Sequence, residues 1–359
     1  MSDTLHTLRD AIQVLDEEIV RLLNERAELS VQVGGYKKKQ GLDVHDPRRE
    51  RELVSYLEGV NKGPISASSL RQIYREILSV SRSLQKPATA AYLGPEASFT
   101  HLAARSRFGG DAVFSAQPTV FDVFEEVEKR RADFGVVPAE NSLEGSVKQT
   151  LDKLISTPLS IVGDVYLPIS HCLLSIGGEM KTVKKIYSHP QALAQCQRWL
   201  RNNLPRCELH EEESTAKAAR RVMNDEEAAA VGSKAAALTY GLAVTAEGIE
   251  DHPLNVTRFL VLGEGISAAT GRDKTSIVFG VRHEPGALLR SLNPFSDKGI
   301  NLTKIVSHPT KERIWEYLFF VDFTGHADDE KVAACMEKLR EACTFVKVLG
   351  SYPMGEQQS

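Results

Sequence analysis

The chain of 359 residues contains little cysteine, and its five cysteines form no motif. No C-x-x-C pair occurs, and the odd count argues against a disulfide framework or a zinc site, so we expect no metal ion. No apolar run approaches the length that crosses a membrane, and residues 1–18 lack the apolar core and cleavage site of a signal peptide. The sequence therefore indicates a cytoplasmic protein with reduced thiols. The cysteines are Cys172, Cys196, Cys207, Cys335 and Cys343.

An excess of positive charge is also missing. The chain has 44 Lys and Arg against 48 Asp and Glu, which gives a formal net charge of -4. Proteins that bind nucleic acids or membrane surfaces usually present a concentrated basic face. We therefore expect no nucleic-acid or membrane partner, and we expect small molecules or other protein chains instead. The length is sufficient for two or three domains.

The first 86 residues have the apolar spacing of packed helices throughout. The pattern predicts helices over about 5–39, 48–58 and 66–85, with Gly34-Gly35 as a weak point in the first. A helix of about 30 residues is about 45 Å long, which two short helices of the same chain cannot cover. We therefore predict a helical homodimer with sites built from both chains.

One cation interrupts the apolar stripe of the first helix. The stripe consists of Leu8, Ile12, Leu15, Ile19, Leu22, Arg26, Leu29 and Val33. An unpaired guanidinium inside a helical bundle costs several kcal/mol, on the order of other buried unpaired charges, so Arg26 must find an anion. That anion is either a carboxylate such as Glu25, Glu28 or one on a partner helix, or a bound ligand.

From residue 88 onward, strands alternate with helices as far as residue 262. This order predicts an α/β class with a mainly parallel sheet, long enough for two lobes with a cleft between them. A third unit over 275–350 has the order βαββαβ of a ferredoxin-like α+β module. Between them, Gly263-Glu-Gly265 imitates a dinucleotide fingerprint, but the next strand leaves no room for its helix. We interpret it as a linker and expect no cofactor.

Six strings in the α/β segment resemble one family. They are Tyr92-Leu-Gly-Pro95, Gly135-Val-Val-Pro-Ala-Glu-Asn-Ser142, His171-Cys-Leu-Leu-Ser175, Tyr187-Ser-His-Pro-Gln191, Glu213-Ser-Thr215 and Asn255-Val-Thr-Arg-Phe259. The chain is similar in them to the bifunctional chorismate mutase–prephenate dehydratases of phenylalanine biosynthesis. The resemblance implies a multidomain protein: an all-α, dimeric three-helix mutase at 1–88, a two-lobed α/β dehydratase at 89–267 and an ACT regulatory domain at 274–353.

The resemblance also assigns residues of the mutase site. Chorismate rearranges in one pericyclic step, so the protein needs cations and donors rather than a nucleophile. Arg26 and Arg9 would bind the carboxylates, with Arg9 coming from the other protomer, and Lys37 and Gln85 would bind the ether oxygen. Taken alone, Lys37 and Gln85 read as solvated surface residues. The resemblance adds Asp46 and Glu50 for the substrate hydroxyl, with Arg49 and Ser81 completing the site.

In the dehydratase, the resemblance makes Thr257 the donor next to the hydroxyl of prephenate that leaves. Arg258 either contacts a carboxylate or braces the cleft through Glu140. Asn141 and Ser142 precede a helix predicted to begin near Ser146, where they bind an anion or serve as N-caps. His171 reads more readily as a satisfied strand-end histidine than as a catalyst. Further cleft residues would be Ser98, Thr100, His189, Gln191, Ser214 and Thr215.

The regulatory domain departs from the family pattern. Its helix start, Gly286, Ala287, Leu288 and Leu289, fits the motif where the effector phenylalanine binds. The second motif, Glu-Ser-Arg-Pro in the family, is Val306-Ser307-His308-Pro309 here. Ser307 and His308 would still border the effector, but the loss of both charged residues predicts weakened or altered binding.

Two other functions are compatible with the sequence. One is an arogenate dehydratase, whose substrate carries an amino group in place of the keto oxygen of prephenate. The other is a non-catalytic amino-acid sensor, because two-lobed α/β domains and ACT domains also occur in binding proteins. An enzyme is favoured, because a pure sensor has no reason to keep donors in both sites; the donors are Arg9, Arg26, Lys37, Gln85, Asn141 and Thr257.

Overall fold

The computed structural model describes residues 2–40, 47–85, 87–309 and 317–355. The chain divides into two compact units, one formed by residues 1–88 with 108–113 and one by residues 89–107 with 114–359. Within the described residues, no helix is both long and apolar enough to span a membrane.

The first unit is built from the three predicted helices. They are α1 (Ser2–Gln40), α2 (Pro47–Val60) and α3 (Ala67–Gln85). The helix α1 continues through Gly34, which is buried where α1 meets α3. A Cβ atom on Gly34 would lie 2.5 Å from Gln85 Cγ, so the glycine allows the two helices to approach closely.

The apolar stripe of α1 is left uncovered by α2 and α3. Leu8, Ile12 and Leu15 are 58%, 57% and 62% exposed, and Leu29 and Val33 are similar. Exposed apolar residues are ordinary when they are scattered, but a continuous stripe of this length marks an interaction surface.

The second unit begins with the predicted α/β region. Its elements are β1 (Thr89–Leu93), α4 (Phe99–Phe108), β2 (Val113–Gln117), α5 (Val120–Glu128), β3 (Phe134–Asn141), β4 (Gly145–Ser146), α6 (Lys148–Ser156), β5 (Ser160–Pro168), β6 (Cys172–Ser175), β7 (Lys185–Ser188), α7 (Pro190–Gln195), α8 (Gln197–Asn203), β8 (Glu208–Glu211), α9 (Thr215–Arg221), β9 (Ala228–Gly232), α10 (Lys234–Tyr240), β10 (Ala243–Ala246) and β11 (Val256–Gly263).

These strands form two sheets, one in each lobe. The first has the order β2-β1-β3-β11-β5, with β4 paired to β3, and the second has the order β10-β6-β9-β7-β8. The prediction of a mainly parallel sheet is wrong. β1 pairs with β3 in parallel, but β11, which follows much later in the sequence, lies between β3 and β5 and pairs antiparallel with both. Long-range returns of this kind leave no local sequence signal.

The third predicted unit has the expected order of elements. They are β12 (Asp273–Gly280), α11 (Ala287–Asp297), β13 (Leu302–Pro309), β14 (Tyr317–Thr324), α12 (Glu330–Ala342) and β15 (Phe345–Pro353), in an antiparallel sheet of order β13-β14-β12-β15.

The sheet of this domain is covered on both faces. On one face, α11 and α12 enclose a core that contains Phe279 and Phe295. On the other, Phe320 and Leu349 join a core with Leu260 of β11. Gly350 packs directly against the backbone of Ile161, so close that no side chain would fit. The ferredoxin-like domain and the first lobe therefore share one continuous core.

Candidate active sites and effector site

Arg26 lies against α3 in the helical unit. Its Nη1 donates a hydrogen bond to Ser81 Oγ, and Ser81 Oγ donates in turn to the carbonyl of Ile77 at 2.8 Å. Neither predicted internal partner is used, since Glu25 pairs with Arg21 at 3.0 Å and no ion pair of Arg26 occurs among the described residues. The guanidinium is thus half-buried, and no carboxylate of the described residues neutralises it.

Gln85 lies one helical turn beyond Ser81 on the same face of α3. Its Nε2 donates to the carbonyl of Ser81 at 3.0 Å, which fixes the orientation of the amide. Its Oε1 is buried and has no hydrogen-bond partner within the described parts of the chain. A buried carbonyl oxygen without a donor is costly, so a ligand or partner donor is expected there. The view of Gln85 as a surface residue is wrong, because Gly34 lets the side chain pack against α1.

Three other predicted mutase residues lie on α1 and α2: Lys37 on α1, and Arg49 and Glu50 on α2. Lys37 is partly buried on α1, about three turns beyond Arg26 at 3.6 residues per turn. Glu50 contacts Arg82 Nη1 at 2.5 Å, while Arg49 is exposed beside Glu52 on α2. Asp46 lies outside the described residues.

Arg9 is distant from these groups within its own chain. It is exposed on α1, 17 positions before Arg26, which corresponds to roughly 25 Å at 1.5 Å per residue. An arginine side chain cannot span that distance.

In the first lobe of the α/β region, Asn141 and Thr257 meet across two strands. They are register partners of β3 and β11, and Asn141 Nδ2 donates to Thr257 Oγ1 at 2.9 Å. Asn141 Oδ1 accepts from the backbone N–H groups of Leu143 and Glu144, which fixes Nδ2 as the donor. Thr257 Oγ1 therefore accepts from Asn141, and its own hydrogen remains available to a substrate.

Two residues that the sequence analysis did not select extend this contact into a chain. Asn141 Nδ2 also donates to Asn255 Oδ1 at 2.6 Å, and Asn255 Nδ2 donates to Gln195 Oε1 at 3.0 Å. Asn255 opens the string that contains Thr257, which was the available signal, whereas nothing in the sequence pointed to Gln195. These hydrogen bonds link the two lobes, because Asn141 and Thr257 lie on strands of the first lobe and Gln195 lies on α7 of the second.

His171 lies at the end of this chain. Its Nε2 is 3.0 Å from Gln195 Oε1, which accepts, so Nε2 carries the hydrogen. Its Nδ1 is buried and has no partner in the described structure. Burial lowers the pKa of His171 below 6.5, although the hydrogen bond to Gln195 opposes the shift. His171 is thus held neutral, and only one of its ring nitrogens is satisfied.

Ser142 does not cap a helix. Its hydroxyl donates to the carbonyl of Leu254 and accepts from the N–H of Val256, which ties the end of β3 to the start of β11. The helix expected near Ser146 begins at Lys148, and its N-cap is Val147. The N-capping interpretation of Asn141 and Ser142 is therefore wrong.

The remaining polar cleft candidates lie at three helix starts. Ser98 Oγ accepts from the N–H of His101 at the start of α4, where Thr100 is buried. His189 caps α7 and Ser214 caps α9 through acceptor atoms on their side chains. Gln191 and Thr215 are partly buried in the first turns of those helices. The hydrogen bonds among the described residues do not join these groups to Thr257, and their contact with substrate stays a prediction.

Glu140 and Arg258 face away from Thr257. They are register partners one position from Asn141 and Thr257, and successive side chains of a strand point to opposite faces. Arg258 is buried and contacts Asp164, Asp322 and Tyr352, whereas Glu140 contacts Lys304 at 2.7 Å. Arg258 therefore neither binds a substrate carboxylate nor braces the cleft through Glu140, contrary to expectation. Glu140 likewise does not line the substrate site.

The ferredoxin-like domain contains a cavity of about 240 Å³ at the start of α11. Its lining includes all four predicted residues at the helix start and aromatic side chains from β14; the lining consists of Val281, Arg282, His283, Glu284, Gly286, Ala287, Leu288, Leu289, Tyr317 and Phe319. Ser307 is the register partner of Phe319 and is exposed. His308 is misassigned as an effector residue, because it is buried and its Nε2 lies 2.7 Å from Asp152 Oδ1 on α6.

Comparison with known proteins places these sites in a family. The family model for chorismate mutase type II matches residues 8–86, that for prephenate dehydratase matches residues 90–266, and that for the ACT domain matches residues 275–341. The bifunctional chorismate mutase/prephenate dehydratase of Aquifex aeolicus is 48% identical over 98% of this chain and 98% of its own. The protein of the same name from Neisseria gonorrhoeae is 43% identical over 98% of this chain and 99% of its own.

A solved structure is also similar to the second unit. The prephenate dehydratase of Arthrobacter aurescens in complex with L-phenylalanine has a TM-score of 0.69 at 34% identity, over 74% of this chain and 90% of that chain. The chain, with a helical mutase domain, a dehydratase domain and an ACT domain, belongs to the family of bifunctional chorismate mutase/prephenate dehydratases.

Proposed function

We propose that this chain converts chorismate to prephenate in its helical domain and prephenate to phenylpyruvate in its α/β domain, as a step of phenylalanine biosynthesis in the cytoplasm. The mutase proposal is carried by Arg26, a half-buried cation without a carboxylate partner in the described residues. Arg26 binds a carboxylate of the dianionic substrate, and Ser81 holds the guanidinium in place.

The other mutase groups act on the charge that develops during the rearrangement. A C–O bond breaks and a C–C bond forms within one molecule, so the ether oxygen gains negative charge as it separates. Lys37 and the amide of Gln85 donate hydrogen bonds to it. Asp46 and Glu50 orient the hydroxyl of the substrate, and Arg49 contributes charge at the rim of the site.

In the dehydratase site, the geometry of Thr257 carries the proposal. The electron pair of the C–CO₂ bond enters the ring, which becomes aromatic, carbon dioxide is released, and the hydroxyl leaves as water with one proton taken up from solvent. Because Thr257 Oγ1 accepts from Asn141, its O–H donates to the departing hydroxyl. Ser142, and the helix starts that carry Ser98, Thr100, His189, Gln191, Ser214 and Thr215, surround the carboxylates.

The activities are tested directly with the full-length protein. Chorismate alone should give prephenate and then phenylpyruvate, and added prephenate should be consumed without a lag. Arogenate is offered in parallel, and turnover of arogenate faster than prephenate would reassign the second site. A protein that turns over none of the three substrates, yet binds phenylalanine, would be the amino-acid sensor.

The uncovered stripe of α1 is covered by a second copy of the chain. Fully burying a leucine or isoleucine side chain contributes about 1.5–3 kcal/mol, so completing the burial of half-exposed ones gives on the order of 1 kcal/mol each. If the two stripes pack antiparallel, Arg9 of one protomer comes near Arg26 of the other, which Arg9 cannot reach within its own chain. The mutase site is therefore completed by the partner chain.

Complementation tests the shared site. Arg9→Ala and Arg26→Ala homodimers should each lack mutase activity. Mixed and allowed to exchange, they should recover about a quarter of wild-type activity, because half of the dimers are mixed and each of those has one intact site. No recovery in mixtures whose subunits have exchanged would show that both arginines belong to one chain.

The cavity at α11 is the proposed effector site for phenylalanine. The first N–H groups of a helix lack intrahelical partners and favour a carboxylate, and Phe319 and Tyr317 supply aromatic surface. Ser307 lies beside the cavity, but no motif arginine does, so we expect weaker effector binding. Calorimetry with phenylalanine tests this expectation, and submicromolar binding with strong inhibition would refute it.

A further inference from the structure

Two cross-strand charge pairs face each other between the dehydratase lobe and the ACT domain. Glu140 and Arg258 are register partners in β3 and β11, and Lys304 and Asp322 are register partners in β13 and β14. The signs are opposed, so Lys304 Nζ contacts Glu140 Oε2 at 2.7 Å and Arg258 Nη1 contacts Asp322 Oδ2 at 2.5 Å. This group of four residues is called the charge square below.

Arg258 and Asp322 of the charge square are buried, and both make further hydrogen bonds. Arg258 and Asp322 are 5% and 7% exposed. Arg258 Nη2 also donates to Tyr352 at 2.8 Å, and Asp322 Oδ1 accepts from Ser276 at 2.5 Å. Buried, hydrogen-bonded charges of this kind have few alternative arrangements, so they fix the positions of the strands that carry them.

The dehydratase residues of the charge square are the chain neighbours of the proposed active-site pair. Glu140 precedes Asn141, and Arg258 follows Thr257, so both strands carry one residue for the cleft and one for the ACT domain. Only one peptide unit therefore separates each charged residue from the 2.9 Å contact of Asn141 with Thr257.

The same ACT strand also borders the effector cavity. Tyr317 and Phe319 of β14 line the cavity, Phe320 packs on the shared core, and Asp322 holds Arg258. Over the six residues from Tyr317 to Asp322, β14 thus contacts the cavity, the dehydratase core and the charge square.

We propose that Lys304 and Asp322 of the ACT domain are positioning residues for the dehydratase reaction: through Glu140 and Arg258 they hold Asn141 and Thr257 in register. The inference rests on the proposed dehydratase function of Thr257. The ACT domain is then a structural part of the active site. The side chains of Asp322 and Arg258 connect β14, which borders the proposed effector cavity, to Thr257.

Two ACT lysines supply a matched comparison. Lys304→Met removes an ammonium from the charge square. Lys347→Met removes one from the same domain interface, where Lys347 Nζ donates to the carbonyls of Leu154, Ile155 and Thr157 at the end of α6. Full-length variants are assayed for kcat and KM on prephenate, for mutase activity as an internal control, and for thermal unfolding.

We expect Lys304→Met and Asp322→Asn to lower dehydratase kcat by about ten- to a hundredfold with little change in KM, since a misplacement on the order of 1 Å has effects of that size. Lys347→Met should keep kcat within about twofold, because it touches neither site strand. The exchange Glu140→Lys with Lys304→Glu should restore most of the kcat lost in Lys304→Met.

Three results would overturn the inference: a normal kcat in Lys304→Met, an equal loss in Lys347→Met, or no recovery in the exchange variant. Because the exchange keeps both charges, it remains informative if Asp322→Asn does not fold. Absence of dehydratase activity in the wild type would refute the proposed function itself, which is a separate outcome.

Discussion

Gly34→Ala is the sharpest perturbation of the mutase site that the structure offers. The added Cβ atom would lie 2.5 Å from Cγ and 2.9 Å from Cβ of Gln85. These atoms are the base of the side chain, so rotation of its end cannot relieve the overlap. Either α1 and α3 separate or Gln85 changes rotamer, and both remove its amide from the proposed site.

The neighbouring glycine provides the matched control. A Cβ atom on Gly35 would meet nothing within 4 Å. Alanine in a helix interior is more favourable than glycine by about 1 kcal/mol, and both substitutions gain this term. Only Gly34→Ala adds overpacking, which typically costs about 1–3 kcal/mol. We therefore expect Gly35→Ala to be stabilised by about 1 kcal/mol, and Gly34→Ala to range from neutral to destabilised by about 2 kcal/mol.

The assay measures chorismate consumption together with urea unfolding for both variants. Gly34→Ala should lose about tenfold or more in mutase kcat, in keeping with the loss of one positioned donor, while Gly35→Ala keeps wild-type activity. Dehydratase turnover of added prephenate should be unchanged in both. Equal mutase activity in the two variants would refute the claim that Gly34 positions Gln85.

Two further predictions concern the dehydratase. Asn141→Asp should reduce dehydratase kcat by about tenfold or more and stability by about 1–3 kcal/mol. A carboxylate at this position cannot donate hydrogen bonds to Asn255 and Thr257, and it would accept the hydroxyl hydrogen of Thr257 that the substrate needs. Normal turnover of prephenate by this variant would contradict the prediction. Burial lowers the pKa of His171, so its neutral form stabilises the fold fully above pH 6.5 and progressively less as the pH falls below that value. Urea unfolding at several pH values should show this loss, and His171→Gln should reduce it; an identical pH slope in both proteins would exclude His171 as its source.

The periodic spacing of apolar residues predicted the helices and strands that carry such a spacing in the sequence. The helices α1 to α3 and the βαββαβ order of the ACT domain were predicted because a stripe or an alternation of apolar residues specifies each one. The strands β2, β8 and β10 lie at the edges of their sheets and are exposed or only partly buried along their length. Edge strands are paired on one side only, so their sequences carry little apolar pattern.

The candidate sites show a similar division. Arg26 could be selected as a candidate from the sequence, because a cation in an apolar stripe is anomalous in the sequence itself. The side assigned to Glu140 and Arg258 was wrong although the alternation of strand residues was available to correct it. The role of His308 depends on the docking of the ACT domain on α6, which no local pattern encodes. Gln195 reaches Asn255 from the other lobe and has no sequence signal for the same reason.

The central claim is that one chain carries two independent active sites, and crossed assays of Arg26→Ala and Thr257→Val test it most directly. Arg26→Ala should lose mutase activity by about 10²–10³-fold and keep dehydratase activity on added prephenate, and Thr257→Val should show the reverse, since removing one critical donor has effects of this size. Loss of both activities in either variant, or of neither, would contradict the account.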